Sequence, residues 1–246
     1  MPEELVRDGF LLFDALDAAE LATVRGMVAT ALHAVNGLPA VYGTLDERAW
    51  RGVLADYLEN PAFDHARIGT KRARTLAREH WERFRQLSVM RFVERQICRF
   101  EVSAEERIGH PEVYWRLARP QATTDVGPLH ADGWFWDSNP TWNRPAVPHR
   151  RWKVWIALET SPGQGGFRLV PGSHARADVR YGTRLVGDKQ KPFLEDPTGA
   201  IAAAAEAIDI PPGRGILFDD RLVHGGTMTT APRPRVSIEF TCLVAE

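Results

Sequence analysis

The chain has 246 residues, with 31 basic and 32 acidic side chains, 44% hydrophobic residues and 26% charged ones. That is ordinary globular composition, and the length supports one sizeable core without disulfides or metals. A formal net charge of -1 argues against nucleic acid as the main partner, which needs a basic excess or stripe, and against a polybasic membrane anchor or a disordered tail.

The start, Met-Pro-Glu-Glu, lacks the basic-then-apolar pattern of a secretory signal. Residues 10–13 are a short apolar run suited to an edge strand. Asp17 is placed to cap a helix over 18–35, with Leu21, Val24, Val28, Leu32 and Val35 at helical spacing and Gly37 and Pro39 to stop it. The longest stretch free of Asp, Glu, Lys and Arg, 26–45, holds His33, Asn36, Gly37 and Pro39, so it does not read as a membrane span. A second helix is expected over 46–58, ended by Asn60-Pro61. A third, over 71–100, has Leu76, Trp81, Phe84, Leu87, Phe92 and Ile97 as its core stripe and Lys71, Arg72, Arg74 and Arg78 as a solvated basic face. Cys98 and Cys242 have no metal-binding spacing and read as free, buried thiols in a reducing compartment. A cytoplasmic protein is expected.

After about residue 108 the pattern changes to short extended runs broken by Gly and Pro. Strands are expected at 112–118, 127–131, 152–159, 166–170, 207–210, 215–218, 222–225 and 235–244, a count that suggests an antiparallel sandwich or barrel. Residues 202–205 read as a short helix or loop. No repeat and no linker divides the chain, so 1–246 is read as one domain, with 1–108 as helical support and 109–246 as the β core. Six of the 8 tryptophans, Trp115, Trp134, Trp136, Trp142, Trp152 and Trp155, crowd into this region.

Two ligand-type side chains, His130 and Asp132, share one face of an extended segment if 130–132 is a strand. Alone, His-x-Asp arises often by chance. His224, on the apolar run Leu222-Val223-His224, supplies a second imidazole, and two imidazoles with one carboxylate form the facial triad of non-haem Fe(II). Arg235 and Ser237 follow, on one face of the last strand, and a guanidinium fork beside a hydroxyl suits the far end of a dicarboxylate. His33, His65, His80, His110 and His149 read as surface or hydrogen-bonded core residues, and His174 as part of a turn.

The ordered set resembles the phytanoyl-CoA dioxygenase family of Fe(II)/2-oxoglutarate-dependent oxygenases. The opening Asp8-Gly9-Phe10-Leu11-Leu12 is similar to the family's N-terminal strand, and Leu129-His130-Ala131-Asp132-Gly133 to its metal motif. Trp155-Ile156-Ala157-Leu158 resembles its central Trp-containing strand, and the run from Gly165 through Pro171-Gly172-Ser173-His174 its signature. Pro212-Gly213, Phe218-Asp219 and His224-Gly225-Gly226 resemble the approach to the distal His; Gly226 stands where many members carry a serine.

The resemblance implies a double-stranded β-helix, a cupin-like jelly-roll barrel buttressed by the N-terminal helices. It implies His130, Asp132 and His224 as iron ligands, Arg235 on the 2-oxoglutarate 5-carboxylate with Ser237 assisting, and Trp155 against the cosubstrate. With O2, the implied reaction hydroxylates a C–H bond and releases succinate and CO2. Asp132 favours hydroxylation over halogenation, because related halogenases carry a small residue there to make room for halide.

Lys153 shares strand parity with Trp155, so it either meets a substrate or cosubstrate carboxylate or reaches solvent at the barrel mouth. Arg116 has the same two readings. Trp134 and Trp136 directly follow the metal motif, so they either line the substrate pocket or pack the barrel edge. Their flat rings rank a sugar acid, amino acid or other small polar metabolite above a fatty acyl-CoA. The segment 180–193, with Arg184, Lys189 and Lys191, is a basic loop that either closes over an anionic substrate or is solvated. An oxidative cyclase, desaturase or epimerase would use the same ligands. The alternative from another class is a metal-binding jelly-roll protein that does not activate oxygen. No membrane or nucleic-acid partner is expected, and the sequence leaves the oligomeric state open.

Overall fold

The computed structural model describes residues 1–40, 43–104, 107–139, 149–164, 166–186 and 189–245. Pro140, Trp142, Gly165 and residues 187 and 188 of the basic segment lie outside them. In chain order the elements are α1 (Glu3–Arg7), β1 (Phe10–Asp14), α2 (Ala18–Val35), α3 (Glu47–Glu59), α4 (Arg78–Phe84), α5 (Ser88–Ile97), β2 (Glu101–Val102), β3 (Val113–Ala118) and α6 (Asp132–Ser138). Then come β4 (His149–Glu159), β5 (Gly166–Leu169), β6 (Arg180–Val186), β7 (Lys189–Glu195), α7 (Ala200–Ala203), β8 (Glu206–Asp209), β9 (Arg214–Asp219), β10 (His224–Gly226) and β11 (Arg235–Ala245). No helix among the described residues is long and apolar enough to cross a membrane.

The strands form a jelly roll. A six-stranded antiparallel sheet runs β1-β9-β4-β11-β2, with β3 also paired to β11, and faces a three-stranded sheet, β10-β5-β8. Side-chain alternation divides the large sheet cleanly. On β11, Val236, Ile238, Phe240 and Cys242 face outward into one apolar core, as do Trp152, Val154, Ile156 and Leu158 on β4 and Val113, Trp115 and Leu117 on β3. The helices cover this face, supplying Val24, Met27, Val28, Leu32, Trp50, Leu54, Phe84 and Val93. Trp115 and Trp152 are therefore core residues. The inward face is mixed: Trp155, Ala157, Ile216 and Phe218, with Phe10 and Leu12 of β1 against them, pack on Phe167 and Leu169 of the small sheet, while Lys153, Arg235, Ser237 and Thr241 make another part of it polar.

The sequence dictates α2 through its ends. Asp17 accepts from Glu20 N at 2.8 Å and Glu20 answers the Asp17 N–H, a complete capping box. Glu20 also takes the Ser88 N–H at 2.7 Å, tying α2 to α5. Buried Arg25 donates to the Leu158 carbonyl at 2.9 Å and docks α2 on β4.

Four expectations change, the simplest being that Cys98 is exposed where a buried thiol was expected, while Cys242 is buried. The helix over 71–100 is broken into a 3-10 turn at Arg72–Arg74, α4 and α5. The break has a tertiary cause: Thr75 bridges Tyr114 and Leu76 donates to the Val113 carbonyl at 2.9 Å, so the free edge of β3 pulls this segment extended. The basic segment 180–193 is a paired hairpin, β6–β7, rather than a loop. Residues 127–131 are not a strand; a single bridge joins His130 to His224.

One half-buried chain of polar groups links the helical layer to the loop before the metal motif. Asp125 takes both Arg119 Nε and Nη2 at 2.9 Å, His65 Nε2 lies 3.3 Å from Asp125 Oδ1, and the Tyr57 hydroxyl bonds His65 Nδ1. Burial opposes ionisation of Asp125, but the Arg119 guanidinium prevails and holds the carboxyl down at about 2.

Candidate metal centre

His130 and His224 are set side by side by reciprocal backbone bonds, His130 N to His224 O at 2.9 Å and His224 N to His130 O at 2.8 Å. Their ring centroids are 4.7 Å apart. Phe167 stacks flat on His224 and Phe218 meets it edge-on, so the apolar interior of the jelly roll fixes that ring.

Each imidazole donates Nδ1–H to a backbone carbonyl two residues back, Pro128 O for His130 and Leu222 O for His224, both at 2.9 Å. This fixes the tautomer and leaves each Nε2 lone pair facing the same space. Asp132 completes the set from an element the sequence did not indicate. It opens helix α6, held there by Gly133 N donating to Asp220 O at 2.8 Å, so helical entry rather than strand parity turns its carboxylate toward the two rings.

Asp132 Oδ1 lies 3.7 Å from His130 Nε2 and Oδ2 lies 3.8 Å from His224 Nε2. One ligand atom from each of the three residues falls within 4.8 Å of the others.

The protonation states of His224 and Asp132 suit metal binding. Burial, then the neighbouring His130, pushes His224 down to about 4, so its ring is neutral at ordinary pH. Burial opposes the Asp132 charge, yet Lys153 and the two rings hold its carboxyl well below the usual range. Burial also opposes the His130 charge, but Asp132 raises its pKa. The Nε2 atoms of two imidazoles and an ionised carboxylate on one side match the facial set of non-haem Fe(II) in donor type and number, with a metal displacing any proton that Asp132 holds on His130.

Around the triad the inward face of the large sheet is polar. Lys153 is buried, with Nζ 3.3 Å from Asp132 Oδ2 and 3.0 Å from Thr241 Oγ1. It therefore does not run out to solvent. Arg235 is buried too, its Nη1 donating to Thr227 O at 2.9 Å and to Gly166 O.

Two glycines form the slot for this guanidinium. A Cβ at Gly166 would stand 2.6 Å from Arg235 Cδ and 3.5 Å from Trp155, and a Cβ at Gly226 would stand 3.0 Å from Arg235 Nη2. Gly166 also has φ +75°, where other residues are strained. Ser237 is buried on the same face, opposite Ala157 and Arg116. A guanidinium fixed in a slot beside a hydroxyl and an indole fits the far carboxylate of 2-oxoglutarate.

Trp134 is buried against Leu129, Ala131, Val170, Ile201 and Val223 and stacks on Tyr181 of the hairpin at 5.0 Å, which is the packing alternative for this residue. Trp136 is half-buried with the Arg151 guanidinium 4.8 Å above it. Arg116 points to the inward face, donating Nε–H to Glu239 Oε1 at 2.9 Å. Glu239 was missed in the sequence, although the alternation Arg235, Ser237, Glu239, Thr241 on the last strand contained it.

Asp220, beside the turn that holds α6, is pushed up to about 7 by burial and then by Asp219. The folded chain thus holds this proton more tightly than the unfolded one, where Asp titrates at about 4. Stability is lost as pH rises through that window. Asp220→Asn is expected to raise the melting temperature by roughly 5 °C at pH 8 and hardly at all at pH 4. Equal effects at both values count against a buried carboxyl as the cause.

A sequence profile of the phytanoyl-CoA dioxygenase (PhyH) family matches residues 5–237.

The chain belongs to the phytanoyl-CoA dioxygenase family.

Membership makes it an Fe(II)/2-oxoglutarate-dependent oxygenase by class, and the match covers β1, the triad and Arg235. No curated protein sequence matches the chain. Solved structures share the fold. EvdO2 from Micromonospora carbonacea var. aurantiaca, complexed with 2-oxoglutarate, is 17% identical with a TM-score of 0.55, covering 99% of this chain and 89% of its own. EctD from S. alaskensis, with 2-oxoglutarate and 5-hydroxyectoine, is 18% identical with a TM-score of 0.58, covering 98% and 74%. The carbocyclase SnoK from nogalamycin biosynthesis is 14% identical with a TM-score of 0.59, covering 98% and 81%.

Proposed function

We propose that this family member hydroxylates a C–H bond of a small polar metabolite, with iron held by His130, Asp132 and His224 and 2-oxoglutarate held by Arg235, Ser237, Trp155 and Lys153. The observation that carries this reading is the meeting of three ligand atoms within 4.8 Å on the inward face that also presents Arg235. Bound iron, with 2-oxoglutarate and O2, supplies the oxidising power, and succinate and CO2 leave as co-products.

The chain's own residues position the reactants. Nδ1–H bonds to Pro128 and Leu222 aim the two rings. Arg235, a charged donor in a dry slot, takes the distal carboxylate and so sets the cosubstrate's length and direction. Ser237 adds a hydroxyl donor beside it, and Trp155 closes the apolar side of the slot. Lys153 neutralises Asp132 and orients its carboxylate. Phe167, Phe218 and Ile216 exclude water from the inner wall.

The test is O2-dependent succinate formation from 2-oxoglutarate with Fe(II), including the slow turnover without substrate, and a product heavier by one oxygen atom. A chain that neither binds 2-oxoglutarate nor forms succinate is not an oxygenase of this kind.

A further inference from the structure

The inner face of β3 carries Tyr114, Arg116 and Ala118, while Val113, Trp115 and Leu117 point into the helical core. In the antiparallel register Arg116 stands opposite Ser237 of β11, beside the wall assigned above to the cosubstrate.

Its guanidinium is held from below. Nε donates to Glu239, whose side chain is 12% exposed, whereas the Arg116 side chain is 50% exposed. The carboxylate therefore fixes one edge of the fork and turns the other toward the opening. Among the described residues, Nη1 and Nη2 donate to no protein group, so four N–H donors are left for a ligand.

Arg74 stands next to it. The Thr75–Tyr114 bridge and the Leu76 N to Val113 O bond lay the 74–76 segment along the free edge of β3. Arg74 is half-buried there, pushed down to about 10 by burial and then by the Arg116 charge. Two guanidinium groups in repulsion cost free energy that an anion between them relieves.

Charge bookkeeping over the inward face gives the same sign. Around the Arg116–Glu239 pair, Arg74, Arg116, Lys153 and Arg235 are opposed by Asp132 and Glu239, an excess of two positive charges, with Arg151 and Asp220 forming an opposed pair further along the face. Lys71 over the Tyr114 ring and Glu112 at the Tyr114 hydroxyl cancel each other. An iron dication and a 2-oxoglutarate dianion also cancel. The excess remains for the substrate.

We propose that Arg116, steadied by Glu239 and backed by Arg74, binds a carboxylate of the substrate, so that this enzyme acts on an acid rather than on a neutral metabolite. The inference rests on the oxygenase reading and narrows it.

The experiment compares matched pairs: small hydroxy-, amino- and aryl-carboxylic acids, each beside its own primary amide. Two readouts are taken on the full chain. One is succinate release with Fe(II), 2-oxoglutarate and O2. The other is the melting temperature of the chain loaded with Mn(II) and 2-oxoglutarate without O2.

At least one acid is expected to stimulate succinate release and raise the melting temperature, with its amide about 10- to 100-fold weaker, the range for losing a charge-assisted hydrogen bond. Arg116→Gln is expected to erase that preference, mainly through KM, and Arg116→Lys to restore part of it. A change in preference between two ligands is a result that a misfolded variant cannot mimic.

Amides that work as well as acids overturn the proposal. So does an unchanged preference in Arg116→Gln, or a panel in which no acid acts by either readout while uncoupled succinate formation continues. Absence of uncoupled succinate together with no effect of 2-oxoglutarate on melting sinks the oxygenase reading itself. Acid preference in the melting readout would still support the Arg116 site in that case.

Discussion

His224→Ala is expected to reduce iron binding and succinate formation to background while the chain stays folded. In the proposed site the imidazole is one of three candidate ligand groups, and its Nε2 faces Asp132 Oδ2 at 3.8 Å. Losing one ligand of three removes most of the metal affinity, because the remaining pair no longer defines a facial set.

The fold survives because the ring contributes packing rather than topology. It fills the space between Phe167 and Phe218, so its removal leaves a cavity costing about 2–4 kcal/mol, or a melting temperature roughly 5–10 °C lower. The reciprocal backbone bonds between residues 130 and 224 do not involve the side chain and persist. Metal content after reconstitution, circular dichroism and succinate release check the three parts separately. A folded variant with parental iron affinity, or one with full turnover, shows that His224 is not a ligand.

Much of this centre was legible in the sequence because the relevant signals were local. Asp17 with Glu20 three residues later marks the start of α2, and the alternation along 235–244 separates Arg235 and Ser237 from Val236 and Ile238. The order of His-x-Asp, distal His and Arg-x-Ser needed no structure to suggest iron.

What was illegible depended on partners far away in the chain. The 71–100 segment has a continuous helical stripe, yet Leu76 gains a hydrogen bond to Val113 on an open strand edge, and that contact outweighs helical propensity. Asp132 faces the rings through the first turn of a helix whose anchor is the Asp220 carbonyl. Arg116 and Glu239 pair across adjacent strands from positions 123 residues apart, and no spacing rule connects them. The sequence left Trp134 open between lining the pocket and packing the barrel edge, and α6 rotates it into the packed cluster under the hairpin.

Arg235→Gln is expected to raise the KM for 2-oxoglutarate by about 100-fold or more and to remove the enzyme's choice of 2-oxo acid. Arg235 is 8% exposed, and burial, then Arg116, pushes its pKa down to about 10, so it is still charged at ordinary pH. A charge in so dry a slot gains little from water and much from a carboxylate, and losing such a pair costs about 3–5 kcal/mol, or roughly 100-fold or more in affinity.

The parent should therefore prefer 2-oxoglutarate strongly over 2-oxopentanoate, which has the same chain length and no distal carboxylate. In Arg235→Gln the two acids should become nearly equal, because only the end of the molecule nearest the metal still distinguishes them from bulk solutes. The substitution also strips a donor from Gly166 O and Thr227 O, and some loss of stability is expected with it. Stability alone does not change a preference between two cosubstrates, so the ratio of their kcat/KM values isolates the carboxylate contact. A variant that is merely less stable and keeps the parental ratio would show that Arg235 holds the β5 and β10 ends together and leaves the cosubstrate to other groups.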